Sequence, residues 1–224
     1  MSAIKYDSYL RSSGFRHRRD EHRSLDENIR YSVSYPKDRK CVGFVGDWGS
    51  GRNTLSLRMA NIEIEGPKQK YRTSNIFQVD LQKFPVLQET RKMELLIRSI
   101  PGNVDYLDKE AEFFKTRQAG FQDFNVFAFC FALNNRCSFR NVIDKWIPEA
   151  MNCLRGEFPA FILVGMKSDL RTYPERNPSL IDREEGENAR IEVGACGYYE
   201  CAAKYDEGVD SILIAILKLL LQSD

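Results

Sequence analysis

The sequence predicts an α/β domain, a mostly parallel sheet with helices on both faces. From residue 40 onward, short and nearly continuous apolar runs alternate with segments of helical character, the pattern of strands buried on both sides. A glycine-rich loop, Gly46 to Gly51, separates the first apolar run from the first helix. The 224 residues suit one domain with a tail, and 42% hydrophobic with 29% charged residues is ordinary for a soluble globular chain.

Cys41, Val42, Gly43, Phe44 and Val45 make the first expected strand, followed by a helix over 54–61. Gly66-Pro67 breaks the next stretch, and 77–87 reads as an edge strand because Pro85 has no N–H for a ladder. A strand over 93–100 ends at Pro101-Gly102, and 105–118 reads as a helix with Tyr106, Phe113 and Phe114 turned inward. Residues 126–133 form a continuous apolar strand and 138–154 a helix. The remaining expected elements are a strand over 161–164, a helix over 181–191, a short strand over 198–201 and a last helix over 209–221.

Charge divides the chain into a basic tail, 1–38, and a domain, 39–224. Residues 1–40 hold ten Lys/Arg and six Asp/Glu, net +4, leaving 23 and 26, net −3, for the rest. The tail is either a regulatory or anion-binding arm or a solvated extension without a task. Over the whole chain 33 basic residues meet 32 acidic ones, so no nucleic-acid partner is expected. The 2 histidines, His17 and His22, lie in the tail, which excludes a Ser-His-Asp triad or a His-rich metal site downstream. The 6 cysteines show no CxxC pair and most lie in apolar runs, as expected of buried thiols in a reducing cytoplasm. Polar residues open the chain, Ser2 stands where myristoylation needs Gly, and the last four residues are no prenylation box, so neither secretion nor a lipid anchor is expected. The apolar run 212–221 is about half a membrane span and contains Lys218.

The loop Gly46-Asp47-Trp48-Gly49-Ser50-Gly51-Arg52-Asn53 follows a strand, opens a helix, and has glycines at the first and sixth positions of a GxxxxGK[ST] phosphate loop. Small residues there let backbone N–H groups wrap a phosphate at a helix N-terminus. The chain downstream resembles the Ras superfamily of small GTPases, specifically its Rho branch, and so implies a P-loop NTPase-like fold. The resemblance rests on Ser138-Phe139-Arg140-Asn141-Val142, on Lys145-Trp146-Ile147-Pro148-Glu149, on Ile162 through Arg171 (ILVGMKSDLR), and on Tyr199-Glu200-Cys201-Ala202-Ala203-Lys204. It departs from the branch at 172–180, which is too short for the extra Rho insert helix.

The resemblance assigns a guanine-nucleotide site to Gly46, Gly49, Gly51, Arg52, Asn53, Lys167, Asp169, Ala203 and Lys204, with a dismantled phosphate half. Arg52 stands where the family lysine reaches the β- and γ-phosphates, and a planar guanidinium does not simply replace a compact ammonium. Asn53 stands where a Ser or Thr binds magnesium; Thr54 is one residue late, about 100° around the helix. Trp48 replaces a small residue and is expected to pack into the space of a γ-phosphate. The DxxG motif becomes Ser99-Ile100-Pro101-Gly102, and the following glutamine becomes Asn103. Thr73 is a candidate for the switch I threonine.

The base half is better kept: Asp169 is placed to bond the guanine edge, Lys167 to lie along the ring and Ala203 to present its N–H. Met166, however, replaces a polar residue that braces this loop, and Ala202 a serine. Each lost contact is worth roughly 1.5–3 kcal/mol, and about four are lost, or roughly four to nine decades of affinity. The expectation is a degenerate small GTPase serving as a protein-interaction or scaffold subunit, with no cofactor and no metal. The alternative is an atypical Rho-like GTPase that binds GDP or GTP and switches, with magnesium doubtful. Trp146, Cys130 and Cys201 are expected as packing residues. The last helix, apolar on nearly every side, is expected to offer a partner surface over 209–221.

Overall fold

The computed structural model of the chain describes residues 39–61, 75–79, 93–100, 121–154, 158–177 and 179–222. The expected tail (1–38), the helix over 105–118, the edge strand beyond 79, Thr73, Gly102 and Asn103 lie outside the described residues.

Six strands form one sheet: β1 (Arg39–Val45), β2 (Asn75–Val79), β3 (Glu94–Ser99), β4 (Val126–Ala132), β5 (Phe161–Met166) and β6 (Gly197–Cys201). Their order is β2-β3-β1-β4-β5-β6. Among the described residues, only β2, at the edge, runs antiparallel to its neighbour; the other four pairings are parallel. Val42 in β1 sits opposite Ile97 of β3 on one side and Val126 of β4 on the other. The chain thus reverses its winding direction across β1, and the loop leaving β1 opens at the point where such sheets place their ligands.

Alternation along the central strands builds two cores. Phe44, Val126, Ala128 and Cys130 face α1 (Arg52–Met59) and the C-terminal helix (Val209–Gln222). Phe127, Phe129 and Phe131, with Tyr198 of β6, face the other layer, which holds Phe139, Trp146 and Ala189. Phe127 and Phe129, two apart on one face, stack with ring centroids 5.6 Å apart. That second layer consists of α2 (Arg136–Asn141), a single π-turn over Val142–Trp146, α3 (Ile147–Cys153) and α4 (Arg183–Val193). The C-terminal helix is α5.

Helix starts follow their caps rather than the apolar pattern. Asn135 Oδ1 accepts from the Ser138 N–H at 3.1 Å, so α2 begins two residues before the expected 138. Asp182 caps α4 in the same way, through the Glu185 N–H at 2.7 Å. Gly51 opens α1 at Arg52, two residues earlier than expected, and the helix ends at Met59 ahead of the left-handed Asn61.

The expected partner surface on α5 falls on a helix whose apolar residues are mostly buried. Ile212, Leu213, Ile216, Leu217 and Leu220 all enter the core, and Leu219 packs against it. The positions left exposed are Asp210, Ser211, Lys218 and Gln222. α5 contacts α1, β4 and β6, and both apolar stripes enter the core.

Candidate functional site

The loop after β1 leaves the sheet under tight constraint. At Gly46 (φ +155°) an added Cβ would lie 2.1 Å from the Cys130 carbonyl oxygen of β4, a distance no side chain tolerates. Gly49 (φ +73°) and Gly51 (φ +104°) turn the chain back into α1. Gly46 and Gly51, the two glycines of the phosphate-loop spacing, and Gly49 between them all adopt positive φ.

Its side chains are used differently. Arg52 is 5% exposed and donates from one Nη to the Gly46 carbonyl at 2.7 Å and to the Asp47 carbonyl. The guanidinium lies folded against its own loop. Burial pulls its pKa down to about 10, against the smaller opposing pull of the neighbouring Cys130 and Asp47. Its Nε and the Ser50 hydroxyl are buried, without a hydrogen-bond partner among the described residues. Asn53, in the first turn of α1, accepts from the Ser99 hydroxyl at 2.5 Å. The residues at the family's lysine and metal positions are thus engaged with the protein itself.

Asp47 is clamped as firmly. Its two carboxylate oxygens accept from Trp146 Nε1 and from Asn141 Nδ2, each at 2.7 Å. Positions five apart stand about 140° apart around an α-helix. The π-turn between them, closed by the Ile147 N–H on the Val142 carbonyl, brings them nearly into line and lets both reach one carboxylate. Trp146 is 0% exposed, a core residue as expected, but one with its polar edge on the phosphate loop.

Trp48 corrects the expectation made for it. It stands 56% exposed on the outer turn of the loop and does not fill the phosphate position. Arg52 packs beneath the loop instead, while the turn with Gly49 carries the indole to the surface.

On the base side, β5 runs on to Met166, and Lys167 (φ +67°) turns the chain into the 3₁₀ turn Ser168–Thr172 that carries Asp169. Lys167 and Asp169 are half-buried; burial lowers the Lys167 pKa and the Asp169 charge partly offsets it. Ala203, buried, and Lys204, exposed, sit in the 3₁₀ turn after β6. Arg58 of α1 holds that turn, donating to the Ala203 carbonyl at 3.0 Å and to the Lys204 carbonyl at 2.9 Å. Met166 is buried, with its sulfur 3.5 Å from Cys201 Sγ, and a Cβ on Gly51 would lie 3.2 Å from its methyl. A thioether packs where the resemblance puts a polar brace. Cys130 and Cys201 are both buried, and burial raises both thiol pKa values, that of Cys201 to about 12.

Behind this loop, Arg171 forms a two-pronged ion pair with Glu200 at 2.7 and 2.8 Å and donates to the Ile181 carbonyl at 2.8 Å. Tyr198 donates its hydroxyl to the same carboxylate at 2.6 Å. Burial alone would raise the Glu200 pKa; the bonds from Arg171 and Tyr198 outweigh it and hold the group below its ordinary value.

The nine expected site residues thus fall on three connections at the C-terminal edge of the parallel strands, Arg52 and Asn53 in the first turn of α1, linked by Met166 beside Gly51 and by Arg58 on 203–204. Sequence reasoning missed Asp47, Asn141 and Arg58, and the polar role of Trp146. One signal was present. An acidic residue inside an anion-binding loop calls for donors of its own.

Comparison with known sequences agrees with this geometry. The family model described as "Ras family" matches residues 42–222. The chain belongs to the Ras family. Among its relatives, GTP-binding protein rho3 of Schizosaccharomyces pombe is 34% identical over 193 residues, covering 85% of this chain and 86% of the relative. GTP-binding protein RHO1 of Saccharomyces cerevisiae is 28% identical over 190 residues, covering 82% and 84%, and RHO1 of Candida albicans is 28% identical over 191 residues. This Ras-family chain lies in the Rho branch. Among its described residues, no helix is long and apolar enough to cross a membrane.

Proposed function

We propose that this Rho-branch domain is a degenerate small GTPase. It binds GTP weakly or not at all, hydrolyses none, and acts in the cytoplasm as a protein-interaction or scaffold subunit. The observation that carries the reading is Arg52, folded onto the carbonyls of Gly46 and Asp47 and buried beneath the loop. A cation that serves a phosphate must present its donors outward. Here two donor contacts go inward and Nε is buried. Turning the guanidinium out would break two charge-assisted hydrogen bonds, roughly 1.5–3 kcal/mol each, before any phosphate contact formed. Ser99 and Asn53 supply no charge to help, and the glutamine position holds Asn103. With its chemistry gone, a fold of this branch retains its surfaces, and binding other proteins is the role left to it.

A second reading rests on the base side. Lys167 and Asp169 are half-buried after β5, Arg58 braces the 203–204 turn, and the relatives are named GTP-binding proteins. On that reading the chain holds guanine nucleotide through its base without hydrolysis. One experiment separates the two: denature the purified protein and chromatograph what is released. The degenerate reading expects no nucleotide and no turnover above a heat-killed control. Stoichiometric GDP or GTP would replace it with the second reading.

A further inference from the structure

Asn53 and Ser99 lie 46 residues apart in sequence, one in the first turn of α1 and the other at the end of β3. The resemblance places the family's two magnesium-facing groups, a hydroxyl on the helix and a carboxylate on the strand, at these two positions. The residues present do not fit that cation. Magnesium demands oxygen ligands at about 2.0–2.1 Å in octahedral array, which puts neighbouring ligand oxygens about 2.9 Å apart with their lone pairs on the metal. Here the Ser99 hydroxyl donates to the Asn53 amide oxygen, so a proton, not a metal, occupies the space between the two oxygens. An amide and a hydroxyl also bring no negative charge. The nearby carboxylate of Asp47 is already committed to Trp146 and Asn141.

We infer that the Ser99–Asn53 hydrogen bond has replaced the metal: it ties α1 to β3 directly, and the phosphate loop of this protein neither needs nor answers to magnesium. Ser99 is 7% exposed, so the bond is shielded from competing water. The inference rests on the family alignment of these two positions. It stands or falls separately from the degenerate-GTPase reading.

The test uses the full chain and two measurements. Melting is recorded in EDTA and in millimolar magnesium, with and without GDP, and at each GDP setting the magnesium and EDTA curves should coincide. Ser99→Ala, Asn53→Ala and the double variant are then compared. Each single change should lower the midpoint by about 2–4 °C, and the double variant by no more than the worse single one. Ser99→Thr, which keeps the hydroxyl, should melt with the parent. A magnesium-dependent rise in the unsubstituted protein overturns the inference, as do additive losses in the double variant. If an alanine variant does not fold, the parent's response to magnesium still decides. Protein that releases bound GDP yet ignores magnesium would refute the degenerate reading and keep this one. Protein that is empty yet stabilised by magnesium would do the reverse.

Discussion

The two halves of the site differ in where their polar groups are spent. On the phosphate side, Arg52, Asn53, Ser99 and Asp47 bond to the protein itself, through loop carbonyls, one another and the π-turn. On the base side, Lys167 and Asp169 remain half-exposed at the strand ends, and the bracing is done from behind by Arg58, Arg171 and Glu200. A loop that satisfies its own donors and acceptors keeps its shape without a ligand, but its groups must be released before it can take one. The family's fold thus survives on both sides, and only one side keeps groups facing outward.

The largest expected effect breaks the phosphate side. Asp47→Ala leaves Trp146 Nε1 and Asn141 Nδ2 without their acceptor, a loss of about 3–5 kcal/mol measured as a shift in the urea midpoint. A change below about 1 kcal/mol would show that the clamp is incidental. Next, Arg52→Lys combined with Asn53→Thr restores two family residues while the base side is untouched. If the phosphate side alone limits binding, fluorescent GDP should bind at least about 10-fold more tightly, worth about 1.4 kcal/mol. No gain would mean that Met166 and Ala202 have disabled the base side as well.

A third prediction concerns acid stability. Glu200 titrates below its ordinary value of 4.5 in the folded protein, so the unfolded chain takes up its proton first as the pH falls. The pair's contribution is complete above that value and is lost as the pH drops through the folded-state pKa. Glu200→Gln should therefore flatten the acid limb of the stability curve and lower the plateau by about 1–2 kcal/mol. An unchanged acid limb would assign the slope to other carboxylates. The smallest effect sharpens the base side: Arg58→Ala should speed amide exchange across 202–205 severalfold with under about 1 kcal/mol of global loss. Global unfolding in that variant would show the turn to be part of the core.

Most of the fold was legible because its signals are local. Phe127 to Phe131 on β4 and Ile162 to Val164 on β5 announce buried strands, and the glycine spacing marks the loop. The helix starts were misjudged because Asn135 and Gly51 set them, and a cap outweighs the first apolar residue. The burial of α5 was missed for a different reason. An apolar arc shows that something must cover it, and only the packed structure shows α1 doing so. At the site, the replaced positions were legible one by one, but their new partners were not. Ser99 and Asn53 are joined only by the sheet, and Asn141 and Trp146 align only through a π-turn that no propensity announces.

The clamp on Asp47 also gives the protein an optical gauge. Trp146 has a carboxylate on its N–H and the Lys145 ammonium 4.6 Å over its ring, so its excited state sits between two fixed opposite charges. Any movement of the loop that carried Asp47 away would change the field across the indole and shift its emission colour. Trp48, on the same loop, is 56% exposed, and its emission would overlay that of Trp146. With Trp48 replaced by Phe, a single tryptophan, excited selectively, would read the state of the loop continuously and without a label.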